Sequence, residues 1–154
     1  MIEGTNAFSQ VLHNKVFVTT FAGWFVAQSF KVAIGVISEH RFNFKWFVGT
    51  GGMPSSHASG VTALAASIGI QEGVGTPIFA FAAMFAVVVI TDAQGVRRAT
   101  GKQAGVLNRI MDDLYSGKQI ANDRLKELIG HTPIEVFAGI FLGLLTAFVA
   151  YWVI

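Results

Sequence analysis

The sequence predicts an all-α integral membrane bundle of about four membrane helices plus a short interfacial helix, in a single domain over residues 1–154. Three observations predict it. Hydrophobic residues make up 53% of the chain and charged residues 13%. Soluble proteins carry about 25% charged residues, so these polar side chains cannot coat a water-facing globule. Two segments, VFVTTFAGWFVAQSFKVAIGVI (16–37) and PIEVFAGIFLGLLTAFVAYWVI (133–154), each reach the roughly 20 apolar residues that a spanning helix needs. Two shorter apolar runs lie between them, ASGVTALAASIGI (58–70) and TPIFAFAAMFAVVVI (76–90). They are rich in Ala and in other small residues, through which membrane helices approach closely.

Each element has its own signals. The N-terminal stretch MIEGTNAFSQ carries an acid and no early Lys or Arg. It lacks the basic region of a cleaved signal, so the first apolar segment is expected to stay in the mature protein. The second helix, small and short, is expected to be buried among the others. QEGVG (71–75) is a Gly-broken turn. Thr76-Pro77 and Thr132-Pro133 each set an N-cap residue before proline at the first helical position. After Ile90 the chain turns polar but keeps helical composition through DAQGVRRATGKQAGVLNRIMDDL, so the third helix is expected to run on beyond the membrane. SGKQIANDRLKELIG (116–130) alternates charge with Leu and Ile, as a short helix at the membrane surface does.

Composition also excludes several functions. Net charge is +2 and the isoelectric point about 9.2. The basic residues form no runs and are not interleaved with exposed aromatics, which argues against a nucleic-acid partner. With no cysteine, disulfides and thiolate metal sites are out of the question.

Counting crossings brings the chemistry to one place. If the first helix ends near Ile37 on one face, the second begins there at PSSH and the third returns to it. Arg41, Lys45, His57, Asp92, Arg97, Arg98, His131 and Glu135 then meet at that surface, with Lys31 a turn or two below. Ten of the eleven Lys and Arg residues fall on this side and only Lys15 does not. Basic loops stay cytoplasmic, so the expected location is the inner membrane, multi-pass, with this face in the cytoplasm.

Four local patterns carry candidate chemistry, and each has a plain structural alternative. In PSSH, Pro54 suits a first helical turn, and the N–H groups of Ser55, Ser56 and His57 would face an anion. Glycines 51 and 52 would let the backbone approach a bound group, and His57 can move a proton near neutral pH. Equally, Pro and Ser simply start helices. In DAQGVRRATGKQ (92–103), Arg97 and Arg98 could grip phosphate oxygens bidentately, with Asp92 orienting one of them; they could also be topology anchors. In GHTPIE (130–135), Glu135 either closes a capping box on Thr132 or accepts from one ring nitrogen of His131, leaving the other as a nucleophile. Lys31, inside the first span, is either functional or snorkelling.

Taken in this order, GGMPSSH, TDAQGVRRATGKQA and LKELIGHTPIEV resemble the divergent bacterial and plastid branch of the type-2 phosphatidic acid phosphatase superfamily, whose classical signature is PSGH. The resemblance runs from Lys31 to the C-terminus. It implies metal-independent phosphomonoester hydrolysis through a phosphohistidine, with no cofactor. His131 would match the nucleophile, Glu135 the acid that follows it by four residues, and His57 the general acid. Lys31 and one of Arg97 or Arg98 would match the phosphate-holding cations. There are departures. Ser38 stands where the classical pattern has arginine after the lysine, Arg41 is not followed by proline, and a long insertion separates Arg98 from His131.

The expected function is therefore a membrane lipid-phosphate phosphatase. The resemblance makes phosphatidylglycerophosphate the preferred substrate. The expected partners are a phospholipid phosphate and the surrounding lipids, and a homo-oligomer is compatible with the composition. The competing readings are a non-catalytic lipid-phosphate binder and a polyprenyl (di)phosphate phosphatase. A two-metal phosphatase would need clustered carboxylates, and only Asp92 and Glu135 reach the site.

Overall fold

The computed structural model describes residues 6–40, 42, 52–114 and 130–153. All regular structure among them is helical. Helix α1 (Ala7–His13) is short and capped by Asn6, whose side chain accepts from the Ser9 amide. Asn14 then caps α2 (Lys15–Glu39) by accepting from the Phe17 amide. Two asparagine caps eight residues apart thus start two successive helices, of which the apolar pattern, running from Val16, shows only the second. Helix α2 ends at His40, which takes the left-handed conformation at φ 51°.

Helix α3 (Ser56–Glu72) starts at the Ser55 N-cap and stops at Gly73, φ 91°. After the turn, Thr76 caps α4 (Pro77–Thr91) with proline in its first turn. The helix does not end there. It passes through a π-helical turn, Asp92–Val96, into α5 (Arg97–Leu114), as the polar but helical composition predicts. Helix α6 (Pro133–Val153) closes the bundle.

Helix α3 lies at the centre, packed against α2, α4 and α6. Its inward residues are small or hydroxylated: Ser56, Ala58, Ser59, Gly60, Thr62, Ala63 and Ser67 are all buried. Close approach follows. A Cβ on Gly139 of α6 would collide with the Ser55 carbonyl oxygen, one on Gly143 with that of Ser59, and one on Gly23 of α2 with the Ala63 side chain. The Ser59 hydroxyl donates to the Gly23 carbonyl at 2.8 Å, so a buried polar group is satisfied across the α2–α3 contact.

The large apolar side chains point the other way. Phe81 is 69% exposed and Phe141 68%, while Ser59 and Ser67 are fully buried. A water-soluble bundle would invert this arrangement; lipid as the surrounding solvent accounts for it. This is a membrane protein.

Among the described residues, three helices are long and apolar enough to cross a bilayer: Lys15–Glu39, Pro77–Met111 and Pro133–Val153. Of the four expected spans, α3 is the exception. At 17 residues it is about 25 Å long, short of the roughly 30 Å hydrocarbon core, and its hydroxyls face neighbouring helices. The expected interfacial helix over 116–130 falls outside the described residues except for Gly130.

Helix directions alternate through α2, α3, α4 and α6, so the bundle has two chemically distinct ends. At one, the Tyr151 hydroxyl donates to Gln71 Oε1 at 3.0 Å and Lys15 Nζ sits 5.1 Å from the Tyr151 ring centroid. The other end holds His57 and His131.

Candidate functional site

The site is assembled from four helix termini. His131 precedes α6, and its backbone amide donates to the Ala93 carbonyl at 3.0 Å. Ala93 lies in the π turn. A π turn shifts hydrogen bonding from the fourth residue to the fifth and releases a carbonyl that an α-helix would use internally. The irregular turn thus supplies the acceptor that holds the His131 backbone.

The His131 ring is 3% exposed. Its Nδ1 lies 2.9 Å from Glu135 Oε2. A carboxylate only accepts, so Nδ1 carries the hydrogen and the lone pair falls on Nε2. The same carboxylate oxygen accepts the Thr132 amide at 3.1 Å, and the Glu135 amide donates to Thr132 Oγ1 at 3.4 Å. The two roles that the spacing leaves open for Glu135, helix cap and histidine orienter, are therefore filled together.

The start of α3 is fastened to the same turn of α6. Ser55 donates its amide to the Glu135 carbonyl at 2.9 Å, and its hydroxyl accepts the Ala58 amide at 3.3 Å. The Ser55 amide, expected to face an anion, is thereby committed to Glu135, so an anion seat on this helix begins at Ser56. Both serines are buried. His57 follows, with its ring centroid 6.3 Å from that of His131 and the planes at 57°. Two imidazoles 74 residues apart in sequence face one small volume.

Lys31 approaches from α2, about 12 Å from the helix end. Its ammonium donates to Gln28 Oε1 at 2.8 Å, and the Glu135 carboxylate lies within electrostatic reach. Gly52, at φ 85°, lays its Cα along the lysine stem: a Cβ there would sit 3.4 Å from Lys31 Cγ and 3.5 Å from Cδ. Those are ordinary van der Waals distances, so the left-handed φ rather than crowding is what calls for glycine at position 52. Snorkelling does not describe Lys31, which is buried with its ammonium on Gln28 and its stem beside Gly52.

Asp92 borders the site through the π turn. Arg97 and Arg98 open α5, which carries their backbone to this end of the bundle. Arg41, Lys45 and Gly51 lie outside the described residues. Among the described residues, no three His, Asp or Glu side chains group as a metal site would require. Gln28 and the Ala93 carbonyl are the site groups that sequence reasoning missed. A buried amide three residues before an intramembrane lysine was a visible signal for the first; a backbone carbonyl freed by a π turn leaves none.

Residues 12–146 match the family model described as the Divergent PAP2 family. The chain is also 39% identical over 155 residues to YuiD, an uncharacterized membrane protein of Bacillus subtilis strain 168, with 93% of this chain and 98% of that one covered. No solved structure matches.

Proposed function

The chain belongs to the divergent PAP2 family, and on that premise we propose that it is a metal-independent membrane lipid-phosphate phosphatase working through a phosphohistidine. The single observation that carries this reading is the pair of imidazoles 6.3 Å apart, one of them oriented by a carboxylate. Attack needs about 3 Å between nucleophile and phosphorus, and protonation about 3 Å between donor and leaving oxygen. The ring separation suits a phosphoryl group held between those two contacts.

In the first step the Nε2 lone pair of neutral His131 forms the N–P bond while the ester P–O bond breaks. The leaving oxygen takes its proton from His57⁺. Glu135 stabilises the positive charge that develops on the His131 ring, as the orienting acid of a triad does. In the second step water attacks phosphorus, its proton passes to His57, and the N–P bond breaks to release phosphate. Phosphoryl transfer asks the protein chiefly for position and positive charge; Lys31, the amides from Ser56 onward, and Arg97 or Arg98, with Asp92 orienting, fill these roles.

A substrate whose tails remain in lipid suits a site at a bundle end. Phosphatidylglycerophosphate is the substrate we favour, with the site facing the cytoplasm from the inner membrane. The test is phosphate release from a panel of lipid phosphates by the purified protein in detergent, alongside His57→Ala and His131→Ala. Release by wild type and loss in both variants supports the reading. Wild-type turnover by either variant, or binding without any release by the wild type, overturns it.

A further inference from the structure

We infer that Gln28 is a positioning residue that aims the Lys31 ammonium at the phosphate site without cancelling its charge, an inference that rests on the proposed phosphatase reading. Gln28 is 3% exposed in the middle of a spanning helix. An amide in such a place is costly unless it is hydrogen-bonded, and it accepts from Lys31 Nζ at 2.8 Å. The two residues are three apart, so both project from one helix face. Gly52 backs the lysine stem, while Gln28 fixes its head.

The choice of amide over carboxylate has a consequence. Glutamate at position 28 would reach the same ammonium with the same geometry but would form an ion pair. That pair would offset the positive charge that a phosphomonoester dianion requires. A neutral acceptor directs the cation without itself offsetting the charge. Among the described residues, Glu135 is a carboxylate that acts on Lys31, and its Oε2 is already shared between His131 and Thr132.

The experiment uses full-length protein in detergent, with inorganic phosphate as the probe, read both as a competitive inhibitor of turnover and by direct calorimetric binding. Gln28→Glu should weaken phosphate binding and raise KM by about tenfold, with a smaller change in kcat, while the thermal unfolding profile stays near wild type. Gln28→Met, which removes the acceptor but keeps the bulk, should show a similar loss. That loss should vanish in a Lys31→Met background, because coupled residues do not add. Wild-type phosphate affinity in Gln28→Glu, or an undiminished effect of Gln28→Met without Lys31, overturns the assignment. Failure of the phosphatase reading shows separately, as a wild-type protein that binds phosphate but releases none from any lipid. The binding arm still decides the role of Gln28 in that case, and a wild type that binds no phosphate overturns the assignment.

Discussion

Glu135 Oε2 binds His131 Nδ1 at 2.9 Å and, with the same oxygen, the Thr132 amide at 3.1 Å. A single atom therefore fixes both the entry of α6 and the tautomer of the histidine in front of it. His131 and helix α6 cannot move independently, since any shift of the α6 start carries the imidazole with it. The Ser55 amide on the Glu135 carbonyl extends this coupling to α3 and so to His57.

Separating the two functions of that oxygen is a direct test. Glu135→Gln keeps a side-chain oxygen for the Thr132 amide but removes the charge and the fixed tautomer preference. Turnover should fall about 10²- to 10⁴-fold, the range associated with losing acid–base assistance, with little change in thermal stability. Glu135→Ala should lose the same activity and in addition about 1 kcal/mol of stability, the usual value of a helix cap. Rates and unfolding midpoints measured on both variants check this. Equal stability losses with turnover preserved would make Glu135 a cap alone.

In the proposed mechanism His57 serves in both chemical steps, so its removal should have a different signature from that of His131. With an activated aryl phosphate, departure of the leaving group needs no proton. His57→Ala should then still form the phosphohistidine but discharge it slowly, and an acid-labile, base-stable phosphoprotein should accumulate. His131→Ala should form none. Labelled-phosphate trapping followed by gel analysis reads both. Phosphoprotein in the His131 variant would move the nucleophile elsewhere.

The sequence made much of this arrangement legible, through local signals. PSSH and HTPIE announce themselves because capping residues, proline and histidine sit at fixed offsets. The helix start at Pro133 follows from those signals. Pro54, expected in a first helical turn, lies outside the helix, because Ser55 takes the N-cap and the helix begins at Ser56. The meeting of His57 and His131 is legible from topology alone, since alternating helices return to one end. Partners of the buried groups were not legible. Ser55 gives its amide to Glu135 and Gly52 packs beside the Lys31 stem, and both contacts are set by tertiary packing that no periodicity encodes. Helix α1 escaped for another reason: Asn14 interrupts an otherwise helical stretch, and one asparagine is a weak break signal until its side chain is seen capping Phe17.

Chelation offers an independent check on the chemistry. The donor set around the histidines contains one carboxylate bonded to His131 and a buried ammonium, an arrangement that suits an anion and disfavours a divalent cation. Turnover should survive excess EDTA unchanged in a continuous phosphate-release assay. Loss of activity that added Mg²⁺ or Zn²⁺ restores would transfer charge stabilisation from Lys31 and the arginines to a metal.

The glycines of α6 separate packing from chemistry. Gly139 faces the Ser55 carbonyl and Gly143, one turn further on, faces that of Ser59; an added Cβ clashes with backbone at both. Backbone cannot rotate away as a side chain can, so each Gly→Ala change should push α6 off α3 at a cost of about 1–3 kcal/mol, as overpacking does. The displacement differs in what it reaches. At Gly139 it opens the Ser55–Glu135 hydrogen bond and shifts His57 against His131, whereas at Gly143 it falls a turn below the site. Gly139→Ala should therefore lose turnover well beyond its loss of stability, and Gly143→Ala should retain turnover at temperatures where it stays folded. Gly75→Ala, with open space around the new methyl, is the control for both measurements. Equal activity losses in the two α6 variants would mean that the bundle responds as one rigid body and that the α3–α6 fastening has no special bearing on the histidine pair.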